Sequence, residues 1–239
     1  MNRTLILGLL ALVSCRPAVQ ADALIDAQPD GAARLARALA RVDDIDRGLP
    51  RLEDGWLWWG EHNDDGRTVH SRRGLEPGAR PELVLDERDE PSIGALPGAG
   101  VEVGSLSASP DGKSVVFSAD LTRTDRYRVQ VKNLGSGRLQ RVVDDADFSV
   151  SWSKDGSLYF TRFGDDDRPR SLWRLDPQVD AAPSLVHHLD KEERGELMVA
   201  DVDGETDLFV RDDDGVAAFR VPGSVEGATR WRPNRPAVR

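Results

Sequence analysis

The segment "LSASPDGKSVVFSAD" (Leu106–Asp120) reads as a short alternating strand, a Ser-x-Asp-Gly turn and a second alternating strand. "VSWSKDGSLYFTR" (Val150–Arg162) repeats that order, with Asp155 placed 44 residues after Asp111. A weaker copy, "VADVDGETDLFVR", sets Asp203 another 48 residues on. Alternation of this kind marks strands with a buried face, and Asp-Gly marks the turn between them. The aspartate accepts backbone N–H bonds inside the turn, and the glycine takes the left-handed conformation without steric cost. Asp111, Asp155 and Asp203 are therefore read as structural rather than catalytic.

The repeat extends to both sides. "GWLWWGEHNDDGRTVHSRR" is a hairpin around Asn63 and Gly66, and "PELVLDE" adds a strand. Next come "SLSAS", "SVVFSAD", "RYRVQVKNL" and "RLQRVV", then "FSVSWS", "SLYFTRF", "RSLWRLD" and "PSLVHHL". A last group holds "ELMVAD", "TDLFVRD", "VAAFRV" and "ATRWR". Four groups of about four strands at a near-constant period are the signature of a repeat protein. One four-stranded meander cannot bury both faces, so successive sheets must stack face to face. Radial stacking gives a β-propeller, and a sandwich would not reset the same hairpin at each repeat. The expected fold is all-β: a partial β-propeller of about four blades over 50–239, after a short N-terminal helix. That helix comes from "GAARLARALARVDDI", where Leu35, Leu39 and Val42 recur at helical spacing in a lead-in over 22–49. Four blades are at the lower end of known propellers, so the array either closes on itself or leaves an open arc whose two bare apolar sheet faces are expected to drive self-association.

Residues 1–21 read as an export signal, with Arg3 before the apolar run "LILGLLALV", which is short for a membrane span. Two cleavage sites compete. "LVSC" (Leu12 to Cys15) has the form of a lipobox with Cys15 as the lipidated residue, and "VQA" (Val19 to Ala21) suits ordinary signal peptidase. Cys15 is the only cysteine of the chain, so no disulfide supports the fold. Arg16 follows it, which points to the periplasmic side of the outer membrane; cleavage after Ala21 instead gives a soluble periplasmic protein. The net charge of −10 argues against nucleic acid, since such proteins normally present a basic face. The one basic cluster is the terminal "RWRPNRPAVR".

In order and spacing, "GWLWWGEHNDDGRTVHSRRG", "PELVLDE", "LSASPDGKSVVFSADLTRTDRYRVQVKNLGSG" and "VSWSKDGSLYFTRFGDDDRPRSLWRL" resemble the N-terminal propeller of the prolyl oligopeptidase family, oligopeptidase B in particular. The likeness runs from about Gly48 to Arg235, more weakly through "KEERGELMVADVDGETDLFVR". It implies a seven-bladed propeller covering an α/β-hydrolase with a Ser, Asp and His triad. That hydrolase needs a Gly-x-Ser-x-Gly nucleophile elbow, which this sequence lacks. The nearest stretch is "GSLSA" from Gly104, inside a blade strand. No catalytic residue of the family carries over.

Other candidates have plainer readings. His62 and His70 flank the first hairpin and are expected to face each other across it, and His187 and His188 end a strand; cross-strand or edge packing accounts for all four. Adjacent strand residues point to opposite faces, so His187 and His188 do not chelate a metal together. The acidic runs at Asp165–Asp167 and Asp212–Asp214 lack EF-hand spacing and suit turns. Trp56 and Trp58 share one face, Trp59 takes the other, and with Trp152 and Trp173 they are read as packing between blades. No cofactor, metal or catalytic residue is assigned. The expected role is binding or assembly with a protein or peptide ligand. The alternative is that this chain is the N-terminal part of a serine oligopeptidase that hydrolyses short peptides.

Overall fold

The computed structural model describes residues 26–221 apart from 29, 47, 54, 99, 178–181, 191–192, 194, 203–204 and 213–214. The export signal with Cys15, Asp203, most of the second acidic run, the strand expected at "ATRWR" and the basic C-terminal cluster lie outside the described residues.

The chain opens with strand β1 (Asp26–Gln28) and helix α1 (Gly31–Asp46). The first blade follows: β2 (Arg51–Glu53), β3 (Trp56–His62), β4 (Thr68–Gly74) and β5 (Glu82–Asp86), in that spatial order. Then come β6 (Glu102–Ala108), β7 (Ser114–Asp120), β8 (Tyr127–Asn133), β9 (Leu139–Trp152), β10 (Leu158–Phe163), β11 (Pro169–Leu175) and β12 (Ser184–His188). The last are β13 (Glu196–Val202), β14 (Glu205–Asp212) and β15 (Gly215–Arg220). All neighbouring strands pair antiparallel.

The four-group reading holds, with two corrections. "RLQRVV" and "FSVSWS" are not separate strands, because β9 runs unbroken for 14 residues. Its first half pairs with β8, its second with β10, and Ala146 is opposite both Tyr127 and Arg162. Just before that switch Asp145 has φ 62°, a left-handed residue that bends the strand. Blades two and three therefore share one seven-stranded sheet, β6 to β12. The second correction concerns the last blade, whose order is β1-β15-β14-β13. Its fourth strand is β1, from the stretch read as a helical lead-in, with Asp26 opposite Arg220.

The two described Ser-x-Asp-Gly turns behave as the local chemistry demands. Lys113 N and Ser157 N donate to Asp111 Oδ1 and Asp155 Oδ1 at 3.1 and 3.0 Å. Gly112 and Gly156 have φ of 67° and 82°. The serine of the motif closes the turn from its other side, since Ser109 Oγ donates to Asp111 at 2.7 Å and accepts from Ser114 N at 3.0 Å. The hydrogen bond from Ser109 holds the Asp111 carboxyl below its ordinary value. Burial by itself would raise Asp155, but Ser153, Ser157 and Arg174 outweigh it and hold that carboxyl down too.

Apolar layers alternate with the sheets. Trp58, Leu85, Val103, Leu106, Val115 and Phe117 fill the space between blades one and two. Val116, Val131, Val150, Trp152, Leu158 and Phe160 fill the next layer, and Tyr159, Leu172, Leu197, Val199, Leu208 and Phe219 the third. Val115 and Val116 thus serve opposite layers, as do Leu158 and Tyr159, which is why the central strands read as nearly continuous apolar runs. Fully burying a side chain such as Phe117 contributes about 2–3 kcal/mol.

A fourth layer forms between α1 and the far face of the last blade, where Leu35 and Ala38 meet Val202, Phe209 and Ala218. Arg34 Nε donates to the fully buried Asp207 carboxylate at 2.5 Å. Of the two outer faces that an open arc is expected to bare, α1 covers this one. The far face of the first blade carries Leu52 and Leu83, which are 68% and 59% exposed.

Candidate functional site

The two Ser-x-Asp-Gly turns lie at the same end of blades two and three, and a cleft of about 570 Å³ opens between them. One wall holds Ser109, Asp111 and Lys113 with Asn133, Ser136 and Arg138 from the β8–β9 turn. The other holds Trp152, Lys154 and Asp155, with Pro177 beyond β11. Sequence reasoning missed this place. Its trace is a lysine beside each repeated Asp-Gly, Lys113 after the first and Lys154 before the second.

The cleft is richer in donors than in acceptors. Asp111 is occupied by Ser109 and Lys113, and Asp155 by Ser153, Ser157 and Arg174. Asn133 Oδ1 already accepts from Ser136 N and Oγ at 2.9 Å, which leaves its amide N–H groups as the available function. Trp152 is 8% exposed, and its indole N–H has no acceptor among the described residues. Arg138 is exposed and makes no ion pair among the described residues.

The histidines differ in burial: His70 is buried and His187 half-buried, whereas His62 and His188 are exposed and so are not the packing groups expected. His62 and His70 do not face each other directly: His62 is opposite Thr68, and His70 is opposite Gly60. His62 Nδ1 lies 3.0 Å from Thr68 Oγ1, and His70 Nε2 lies 3.0 Å from Glu87 Oε1. The hydroxyl–imidazole and imidazole–carboxylate contacts thus use two different histidines, and no single ring relays between them. Thr68 is also buried, out of reach of a substrate. His187 and His188 are opposite Leu172 and Ser171 and take opposite faces of β12.

Arginines engage the first acidic run. Asp166 accepts from Arg170 Nε at 2.9 Å, a bond that holds its carboxyl below the ordinary value, and Asp167 pairs with Arg126. Among the tryptophans, Trp58 and Trp152 are buried between blades. Trp56 is only half-buried and carries the Arg72 guanidinium 3.9 Å above its ring, and Trp173 has Arg162 at 5.5 Å. Trp59, on the opposite face, donates to Glu61 at 3.1 Å. The serine of "GSLSA" bridges blades: Ser105 Oγ donates to Val150 O at 3.3 Å.

One buried acid sits apart from the cleft. Asp147, in β9, accepts from Thr161 Oγ1 at 3.0 Å, and Thr161 lies 2.7 Å from Ser149 Oγ, which accepts from Val199 N. Burial pushes the Asp147 carboxyl above its ordinary value, against the opposing hydrogen bonds. The folded state therefore keeps its proton to higher pH than the unfolded chain does, and stability falls as pH rises through that interval. Asp147→Asn is expected to stabilise by about 1 kcal/mol at pH 8, with the gain shrinking towards pH 4. Urea midpoints at both pH values check this; an equal effect at both would mean that ionisation is not its cause.

Residues 20–218 match the family described as prolyl oligopeptidase, N-terminal beta-propeller domain. The chain belongs to that family. It is 31% identical over 185 residues to the uncharacterized peptidase y4sO of Sinorhizobium fredii, covering 74% of this chain and 25% of that protein. It is 34% identical over 122 residues to y4qF of the same organism, covering 49% of this chain and 13% of the relative. The chain thus spans a quarter or less of these family members. Oligopeptidase B from Leishmania major superposes with a TM-score of 0.54 at 16% identity, over 76% of this chain and 29% of that one. Oligopeptidase B from Trypanosoma brucei gives 0.51 at 17% identity, over 77% and 29%. These likenesses place the fold with the blades of the family's propeller.

Proposed function

We propose that this chain is an exported, non-catalytic propeller module of the prolyl oligopeptidase family that acts in binding or assembly, with Cys15 as its lipid anchor. The observation that supports the proposal is the donor-rich cleft between the two turns. A nucleophilic hydrolase needs a hydroxyl or thiol, a base and an orienting carboxylate in one connected set. Purified chain is expected to resist a fluorophosphonate serine probe and to release no product from basic or prolyl peptides. Stoichiometric labelling of one serine overturns this. The length of y4sO favours a second reading, in which this sequence is the propeller part of a longer serine oligopeptidase. A downstream reading frame carrying Gly-x-Ser-x-Gly decides for that reading.

A further inference from the structure

We infer that the cleft between the Ser109–Gly112 and Ser153–Gly156 turns is a binding site for a carboxylate-bearing ligand of short-peptide size. The inference rests on the binding role proposed above and names the chemistry of its ligand. It starts from charge. The protein carries −10 overall, yet Lys113, Arg138 and Lys154 converge on one cleft. Only two carboxylates line the same walls, Asp111 pairing with Lys113 and Asp155 with Arg174, so the lining keeps a surplus of positive charge that centres on Arg138.

Arg138 supplies the recognition element. A guanidinium presents a planar fork of donors that matches a carboxylate in two parallel hydrogen bonds. Trp152, packed between the blades, also lines the cleft and so serves as its fluorescent reporter, while Val131, Pro110 and Pro177 offer apolar contact to the rest of the ligand. The volume, about 570 Å³, lies within the range of small-molecule sites, about 300–1,000 Å³.

The carboxylate can come from a peptide C-terminus or from an acidic side chain, and the test separates them. Full-length protein is titrated, with tryptophan fluorescence as the readout, using Ac-Asp-Glu-Asp-Glu with a free C-terminus, its amidated form, and the amidated Asn/Gln counterpart. Saturable binding of both acidic peptides, weakening as NaCl rises, assigns side-chain carboxylates. Binding of the free form alone assigns the terminal carboxylate. Arg138→Glu is expected to weaken binding at least tenfold, and Trp152→Phe to remove most of the fluorescence change while weakening binding less. Both turns should survive Arg138→Glu, because that side chain is exposed; an unchanged circular dichroism melt confirms it. Equal binding of the neutral peptide, no saturable signal at millimolar peptide, or full affinity in Arg138→Glu overturns the inference. The fluorophosphonate assay reads the non-catalytic role separately, so either idea can fail without the other.

Discussion

Arg34→Ala should lower stability by about 4 kcal/mol, the scale seen when one partner of a buried ion pair is removed. The reason is asymmetry: the Asp207 side chain is fully buried, and Arg34 is a cation that α1 brings to it. Truncating the arginine also loosens α1 from Val202, Phe209 and Ala218, so apolar surface on the last blade becomes accessible. A urea titration gives the energy, and binding of an apolar dye reports the uncovered face. The double variant Arg34→Met with Asp207→Leu should recover most of the loss, because it leaves no buried charge behind. A single-variant loss below about 1 kcal/mol would show that Leu35 and Ala38 hold the helix without help from the ion pair.

Gly104→Val is the second large effect, expected at about 3 kcal/mol, the upper part of the range for overpacking a filled core. A Cβ at Gly104 meets Phe148 Cβ and the Tyr127 ring, each at 2.7 Å, and Ser118 Oγ at 3.2 Å. None of these is the loose end of a long side chain. Ser118 is itself tied to Phe148 O at 2.6 Å. Gly104 also sits where the β6–β7 register slips, between Val103 and Ser105. The inner strands of blades two and three approach here, and relief requires moving both. Thermal melts of Gly104→Ala and Gly104→Val should show a graded loss. Equal stability of wild type and valine variant would disprove the close approach.

The parts of the fold that were readable beforehand are those whose hydrogen bonds close within a few residues. Ser109, Asp111 and Gly112 complete their turn inside six residues, so the sequence carries every participant. The same holds for Asn63 and Gly66, where Gly66 N donates to Asn63 O at 3.0 Å. Alternation also separated Trp58 from Trp59 correctly, since one is buried and the other half-exposed. The continuity of β9 was hidden because its break point depends on which strands lie on either side of Ala146. No local pattern distinguishes a strand that changes partners from two strands joined by a turn. The "DAQ" of β1 is three residues without periodicity, and only its partner in β15 makes it a strand. The cleft was out of reach for the same reason: its donors come from three loops in two repeats.

The pairing of β1 with β15 has a consequence in time. Asp26 leaves the ribosome about 190 residues before Arg220, its partner in the sheet. At about 5–20 residues per second of synthesis, that is on the order of ten seconds or more. Through that interval β1 has no neighbouring strand, and the apolar stripe of α1 has no blade to cover. The earlier blades can stack one after another as they emerge, each on the one before. The last blade must instead bring β1 to β15, and pairing segments this far apart in sequence makes its completion a late, slow event.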